Sequence, residues 1–268
     1  MSGQTFQVFT SIRYDPLLLT CPINTTYSYD PSIPSPFYLF SHHRDRMLLA
    51  AQHSNWPPSI TAPLNDLSLV HKTCLTAVHS RSDSNIGLRV RLLLSPSGEL
   101  TAEAAPTPQV PNITRLFPPS LPVQALAEWV VMLDTFPTEV SSFTRFKTTQ
   151  RKMYDDARAR AGIKTFAETK EVLVWNESKE VMEGSLTNVY FQRGGRWVTP
   201  PLSSGGQAGT VRRYLLEKEM VVEEVVKTGE VALGETILLS NGVRGVWAAK
   251  VVHITDISST RAGLPSII

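Results

Sequence analysis

The sequence has few of the features that mark a secreted, membrane-spanning or nucleic-acid-binding protein. It contains only two cysteines in 268 residues, and Cys21 and Cys74 follow no redox or zinc spacing. The formal net charge is +2, which gives no electrostatic case for nucleic acid or an anionic membrane as a partner. No apolar run approaches the roughly 20 residues that span a bilayer, and the N-terminus lacks the basic and apolar blocks of a signal peptide. We therefore expect a soluble, cytoplasmic protein.

Motifs for dinucleotides and for metals are also missing. The glycines before Thr210 are not followed by the Gly-Lys-Ser/Thr of a Walker loop, and no strand with a GxGxxG precedes them. His71, Cys74 and His79 share one predicted helix, but their spacing matches no structural zinc pattern, and His79 is off the face of the other two. The sequence therefore predicts neither a dinucleotide site nor a metal site.

What remains is an ordinary globular composition, with 42% hydrophobic and 19% charged residues. The length allows one large domain or two modest ones. Residues 105–122 are rich in proline, which favours an extended connector. We therefore predict a small N-terminal α/β domain over residues 1–104, a linker over residues 105–122 and a larger C-terminal domain over residues 123–268.

Local patterns predict the elements of the first half. Alternating residues indicate a strand over residues 5–14 and a hairpin over residues 86–104. Residues 37–40 are predicted as a short strand, and good helix formers then indicate a helix that a proline pair stops. Apolar residues at helical spacing predict a further helix over residues 64–81.

The second half is predicted to contain a meander of antiparallel strands. Residues 125–135 fit a strand or a short helix, which the pattern does not separate. A helix follows Thr148 and Thr149, whose side chains are expected to cap it. The predicted meander has four strands, over residues 171–176, 179–184, 188–193 and 196–200.

Two separated residues carry the chemistry that the sequence suggests. The amine of Lys147, just before a predicted helix, could form a Schiff base with an aldehyde cofactor. Glu183 lies in the predicted meander, where its carboxylate could hold a protonated ring nitrogen. Pyridoxal phosphate chemistry needs such a pair. Every protein has lysines and glutamates, so the evidence for this function has to come from the surrounding segments.

A glycine-rich stretch offers a place for a phosphate group. Gly209, Thr210 and Val211 stand at the start of a predicted helix, where free amides and the helix dipole favour an anion. The alternative is a plain junction between a loop and a helix, with glycines for the turn.

Two arginines and one turn are further candidates for binding. Arg46 could point from its predicted helix toward a cleft, and Asn241 and Gly242 form a turn rich in polar backbone. Arg244 could meet a substrate carboxylate as a bidentate donor. For both arginines the alternative is a solvated surface side chain.

Taken in order, these segments resemble the fold-type-IV family of pyridoxal phosphate enzymes, which includes branched-chain and D-amino-acid aminotransferases and aminodeoxychorismate lyases. The likeness to the lyase branch is greater, through a K-T-T-x-R-x-x-Y-D-x-A-R block over residues 147–158. The ordered motifs cover about residues 140–250, and the N-terminal half matches more thinly. The further matches are Leu173-Val174-Trp175-Asn176 with Glu183 and Asn188; Thr199-Pro200-Pro201 with Gly209 and Arg212; and Asn241-Gly242-Val243-Arg244-Gly245.

The resemblance implies an α+β fold with a β-barrel-like sheet in the larger domain and pyridoxal 5'-phosphate in the cleft between the domains. It implies that Lys147 is the catalytic Schiff-base lysine and that Glu183 pairs with the pyridine nitrogen. It assigns the phosphate to Arg46, to the helix start at Gly209, Thr210 and Val211, and to the turn at Asn241 and Gly242. Arg13 and Arg244 are the substrate contacts that it offers.

The activity that the resemblance implies is a lyase that converts 4-amino-4-deoxychorismate to 4-aminobenzoate and pyruvate, in a homodimer. The alternatives are a transaminase of a D-amino acid, an amine or a branched-chain amino acid, and a non-catalytic homologue that binds or scaffolds. Two departures bear on this choice. The chain starts almost at the first family strand, and Lys152 stands where the aminotransferases place a tyrosine.

Overall fold

The structure, a computed structural model, describes residues 6–83, 86–110, 113–121 and 129–254. No helix within these ranges is long and apolar enough to cross a membrane. The α-helices are α1 (Pro22–Thr25), α2 (Phe40–His53), α3 (Pro58–Asn65), α4 (Leu67–His79), α5 (Ser142–Arg145), α6 (Lys152–Arg160) and α7 (Thr210–Glu217). The strands are β1 (Val8–Tyr14), β2 (Leu88–Leu94), β3 (Leu100–Pro106), β4 (Trp129–Leu133), β5 (Lys170–Trp175), β6 (Val181–Gly184), β7 (Asn188–Arg193), β8 (Arg196–Thr199), β9 (Val222–Glu223), β10 (Thr236–Asn241) and β11 (Gly245–Val251).

The first half forms a small antiparallel sheet with helices packed on it. Its order is β1-β2-β3, and every residue of β1 pairs with β2. α2 and α4 contact this sheet and bury one apolar cluster with it, which includes Ile12, Met47 and Val90. The predicted strand is confirmed as β1, with residue 5 of the prediction outside the described ranges, and the predicted hairpin is confirmed as β2 and β3. The predicted helix over residues 64–81 is confirmed as α4, although residues 64 and 65 belong to α3.

The predicted strand over residues 37–40 is wrong. Phe37 makes an isolated bridge with Tyr14, Leu39 has a φ of 47°, and Phe40 begins α2. Side chains 37–40 are all fully buried. The apolar run therefore reflects burial around the start of a helix, not the alternation of a strand.

The second half forms a curled sheet of eight strands in the order β6-β5-β4-β11-β10-β7-β8-β9. β4 lies parallel to both β5 and β11, so residues 129–133 form a strand and not a short helix. Residues 125–128 of that predicted element lie outside the described ranges. The α+β architecture with a barrel-like sheet is confirmed.

The predicted meander has the right strands but the wrong pairing. β5 pairs with β6 and β7 with β8, yet β4, β11 and β10 also lie between these two hairpins in the sheet. Residues 185–187 join β6 directly to β7. The sheet therefore has to curl, because its edge strand β6 must return to the strand that follows it in sequence.

The two sheets meet along β1. The amide of Phe9 donates to the carbonyl of Lys147 (3.0 Å), and Val8 forms a bridge with Thr148. At the other end of the strand, the amide of Arg13 donates to the carbonyl of Gly242 (2.9 Å). β1 therefore holds two of the predicted site segments against the small sheet. β3 includes residues 105 and 106, and the division into domains at residues 105–122 stays a prediction.

Candidate active site

Lys147 lies on an extended segment between two helices. Its side chain is half-buried, and its Nζ lies 5.1 Å from the ring centroid of Phe9. Burial lowers the pKa of the Lys147 amine well below its usual range, and the positive charges of Arg151 and Arg46 lower it further. The amine is therefore neutral, and so nucleophilic, at a lower pH than an ordinary lysine.

Glu183 lies on β6 and is almost completely buried, with a 4% exposed fraction. The hydroxyl of Tyr154 donates to its Oε1 at 2.5 Å, and Asn188 Nδ2 lies 3.5 Å from its Oε2. Burial raises the pKa of Glu183 to about 7, against the opposing effects of Tyr154, the Gln207 amide and nearby cations. A neighbouring cationic group would favour the ionised carboxylate.

Tyr154 is a site residue to which the sequence assigned no role. It comes from the buried face of α6, and its hydroxyl also accepts a hydrogen bond from Gln207 Nε2 (3.2 Å). The guanidinium of Arg151 lies 4.5 Å from its ring centroid. The signal was present: Tyr154 is a fixed position of the K-T-T-x-R-x-x-Y block and falls on the apolar side of the helix.

Thr148 and Thr149 do not cap α6, contrary to the prediction. The helix begins at Lys152 after Arg151, with no capping bond from a side chain of the described residues. The hydroxyl of Thr149 instead accepts from the amide of Gln7 (3.0 Å) and fixes the segment to the small sheet. The two threonines therefore help to anchor the Lys147 segment.

Arg46 points from α2 into the same region as Lys147 and Glu183. Its Nη2 donates to the Thr10 hydroxyl, whereas its buried Nε has no hydrogen-bond partner among the described residues. Burial lowers the pKa of Arg46 to about 10, and the charge of Glu183 opposes this effect. An anion near Arg46 would satisfy the free donor.

The predicted helix start at residues 209–211 is confirmed in position. α7 begins at Thr210, and no side chain among the described residues caps it. Thr210 and Val211 are buried, and the Thr210 hydroxyl lies 3.4 Å from His43 Nε2. A Cβ at Gly209 would overlap Asn188 Oδ1, so any larger residue at this position would have to displace the Asn188 side chain.

The turn at Asn241 and Gly242 follows β10. Asn241 Oδ1 accepts from the amides of Val243 (3.0 Å) and Arg244 (2.9 Å), so the side chain itself organises the turn. The Arg244 guanidinium lies 5.0 Å from the ring centroid of Trp129, and burial lowers its pKa. Arg244 and Asn241 line one small pocket, together with Leu186 and Thr187.

Arg13 has a different environment from the one predicted. Its side chain is fully buried, and its guanidinium pairs with Asp15 and donates to the carbonyls of Pro108 (3.1 Å) and Val243 (3.2 Å). These bonds join the small sheet to the connector and to the turn after β10. The geometry favours a structural role for Arg13 over the predicted substrate contact.

A comparison with known families identifies the class of protein. The family model described as amino-transferase class IV matches residues 25–252, and the chain belongs to that family. The predicted family resemblance is confirmed.

Two curated proteins are similar to this chain in sequence. The aminodeoxychorismate lyase of Saccharomyces cerevisiae is 32% identical, over 59% of this chain and 50% of that protein. A second fungal relative, from Schizosaccharomyces pombe, is 31% identical, over 59% of this chain and 64% of that one. The chain thus spans half the length of one curated relative and under two thirds of the other.

Solved structures of the family share the fold. The 4-amino-4-deoxychorismate lyase from Pseudomonas aeruginosa has a TM-score of 0.59 at 18% identity, covering 92% of this chain and 83% of its own. The branched-chain amino acid aminotransferase from Escherichia coli has a TM-score of 0.61 at 15% identity, covering 91% and 76%. These identities establish the fold of the chain, and they do not separate a lyase from an aminotransferase.

Proposed function

We propose that this chain is a pyridoxal phosphate-dependent lyase that converts 4-amino-4-deoxychorismate to 4-aminobenzoate and pyruvate. The observation that carries the proposal is the grouping of Lys147, whose pKa is lowered, with the buried acid Glu183 and with Arg46. The choice of reaction is supported by the name of the Saccharomyces cerevisiae relative, an aminodeoxychorismate lyase.

The residues present fit the cofactor. Arg46 Nε is a buried donor with no partner among the described residues, and the two arginines Arg46 and Arg151 both act on the lysine beside the single acid Glu183. This excess of positive charge suits a phosphate group. Arg46 and the first amides of α7 would hold the phosphate, Lys147 would bind the aldehyde carbon, and Glu183 would hold the ring nitrogen.

When bound, pyridoxal phosphate supplies an electron sink for charge that develops on the substrate carbon next to the amine. Lys147 Nζ is the group suited to move a proton, since burial and two arginines bring its pKa toward the working range of a general base. Tyr154 keeps the Glu183 carboxylate in one orientation by bonding Oε1. Because Tyr154 and Glu183 are both buried, water is excluded from the Glu183 carboxylate.

Product analysis tests the proposal. Purified protein with pyridoxal phosphate and 4-amino-4-deoxychorismate should yield 4-aminobenzoate and pyruvate in equal amounts, with no amino acceptor added. A parallel reaction with amino donors and keto acids tests the transaminase alternative, which the family description supports. Amino-group exchange without aminobenzoate would refute the lyase. No reaction in either assay would favour the non-catalytic homologue.

Further parts of the proposal concern assembly and location. The family resemblance supports a homodimer with the cofactor in the cleft between the two predicted domains. Light scattering of the purified chain at several concentrations would measure its mass, and a monomer throughout would refute the dimer. Cytoplasmic location is proposed on the same resemblance and is tested by cell fractionation.

A further inference from the structure

The three segments predicted to hold a phosphate all adjoin one buried imidazole. His43 lies on α2 one turn before Arg46 and is fully buried. Its Nδ1 lies 2.6 Å from the hydroxyl of Thr10 on β1, and its Nε2 lies 3.4 Å from the hydroxyl of Thr210 at the start of α7. A Cβ at Gly242 would overlap the ring, so the turn after β10 requires glycine there.

We propose that His43 is a positioning residue, which directs a hydrogen-bond chain from Arg46 through Thr10 and His43 to Thr210. In this series of hydrogen bonds the Thr210 hydroxyl directs its proton toward the phosphate of the cofactor. The inference deepens the proposed function and rests on it.

Arg46 sets the donor-to-acceptor direction of this hydrogen-bond chain. A guanidinium only donates hydrogen bonds, so the Thr10 hydroxyl is the acceptor of the bond from Arg46 Nη2. The hydroxyl then has its own proton to donate, and His43 Nδ1 is the acceptor next to it. An Nδ1 that accepts leaves the proton of a neutral imidazole on Nε2.

The second half of the chain follows from this tautomer. His43 Nε2–H donates to the Thr210 hydroxyl oxygen, and the Thr210 proton is then free to point to another acceptor. Burial lowers the pKa of His43 well below its usual range, with the charge of Arg46 acting in the same direction, so the ring stays neutral as the chain requires. An anion beside Arg46 and the α7 amides would accept that proton.

The competing explanation is a buried histidine that only fills space. It predicts equal losses of affinity for any aldehyde cofactor when His43 is replaced. The directed chain predicts a loss that depends on the phosphate group. Pyridoxal, which lacks the phosphate, separates the two explanations.

The first experiment measures affinities of the apoprotein for pyridoxal phosphate and for pyridoxal. His43→Leu and Thr210→Val should each weaken pyridoxal phosphate binding about tenfold to a hundredfold, the range for hydrogen bonds to charged groups, and leave pyridoxal binding within about twofold of the wild type. Thr210→Ser and His43→Gln keep polar groups and should retain most of the affinity. The double variant His43→Leu/Thr210→Val should be little worse than the weaker single variant, because both break the same chain.

The second experiment needs no substitution in the measured protein. Nitrogen-15 spectra of wild-type protein with labelled histidine report which ring nitrogen carries the proton, and His43→Gln identifies the His43 signals. A proton on Nε2 supports the chain, whereas a proton on Nδ1 overturns it. Equal losses for pyridoxal and pyridoxal phosphate, or an unchanged Thr210→Val, would also overturn it. If the wild type binds pyridoxal phosphate but these variants keep its phosphate preference, only this inference fails; if the wild type does not bind it, the proposed function fails as well.

Discussion

Replacing Tyr154 by phenylalanine removes the 2.5 Å hydrogen bond to Glu183 Oε1 without removing the aromatic ring. Burial already raises the pKa of Glu183 to about 7, and the Tyr154 bond is the largest effect that opposes this rise. A hydrogen bond to a charged group contributes about 1.5–3 kcal/mol. At about 1.4 kcal/mol for each tenfold change, Tyr154→Phe should move the ionisation of Glu183 upward by about one to two pH units.

The sign of the effect on binding follows from the role proposed for Glu183. An ionised carboxylate favours a protonated ring nitrogen, so pyridoxal phosphate affinity should fall as pH falls through the pKa of Glu183. In Tyr154→Phe this fall should begin at a higher pH than in the wild type. The assay is cofactor affinity from about pH 5 to about pH 9, which covers the perturbed range of a buried carboxyl.

Tyr190→Phe is the matched control. The Tyr190 phenol is also fully buried, but its hydroxyl bonds Ser240 (2.7 Å) on a neighbouring strand of the curled sheet. Both variants should lose about 1–3 kcal/mol of unfolding free energy, because each leaves a buried polar partner unsatisfied. Only Tyr154→Phe should shift the pH profile. A profile that weakens uniformly and keeps its midpoint would refute the reasoning.

Three further predictions concern Lys147, Glu183 and Gly209. Lys147→Ala should lower aminobenzoate formation by about a thousandfold or more and abolish the covalent cofactor adduct trapped by borohydride, whereas the exposed Lys152→Ala should leave both unchanged; an adduct on Lys147→Ala would contradict this. Since the pKa of Glu183 is about 7 in the folded protein and 4.5 ordinarily, the folded apoprotein keeps a proton that the unfolded chain loses. Stability should therefore fall as pH rises through this window, by about 3 kcal/mol, and urea unfolding at both ends should show no such fall in Glu183→Gln. Gly209→Ala should displace Asn188 and cost about 1–3 kcal/mol with weaker cofactor binding, whereas Gly229→Ala, with open space around it, should change neither in melting and binding assays.

Local patterns were enough to predict most elements because each reports the burial of its own side chains. The alternation in β2 and β3 and the apolar spacing of α4 depend on residues a few positions apart. Sheet order is different, since it depends on contacts between distant segments. β4 inserts beside β11, more than a hundred residues later, and no local pattern encodes that neighbour.

The same limit applies to the site. Lys147, Glu183 and Arg46 could be proposed as site residues because a lysine, an acid and an arginine have distinctive chemistry within an ordered set of motifs. The role proposed for His43 could not be inferred in this way, because its contact residue Thr210 lies 167 residues away and the contact depends on how the two sheets meet. Arg13 shows the opposite case: the family resemblance offered it as a substrate contact, but in the structure its buried guanidinium pairs with Asp15.

Arg46 connects the proposed phosphate site to the proposed chemistry through charge. It is one of the cations that lower the pKa of Lys147, and it also carries a buried donor that an anion would satisfy. A phosphate bound at Arg46 would neutralise part of that charge and so would raise the pKa of the lysine. Arg151 also lowers the pKa of Lys147, but its guanidinium donates to the carbonyl of Ser185 (2.6 Å) and is not proposed to bind the phosphate. In the proposed site Lys147 would therefore be a neutral nucleophile before a phosphate binds and a better proton acceptor once the phosphate is in place, with Arg46 as the residue that links the two conditions.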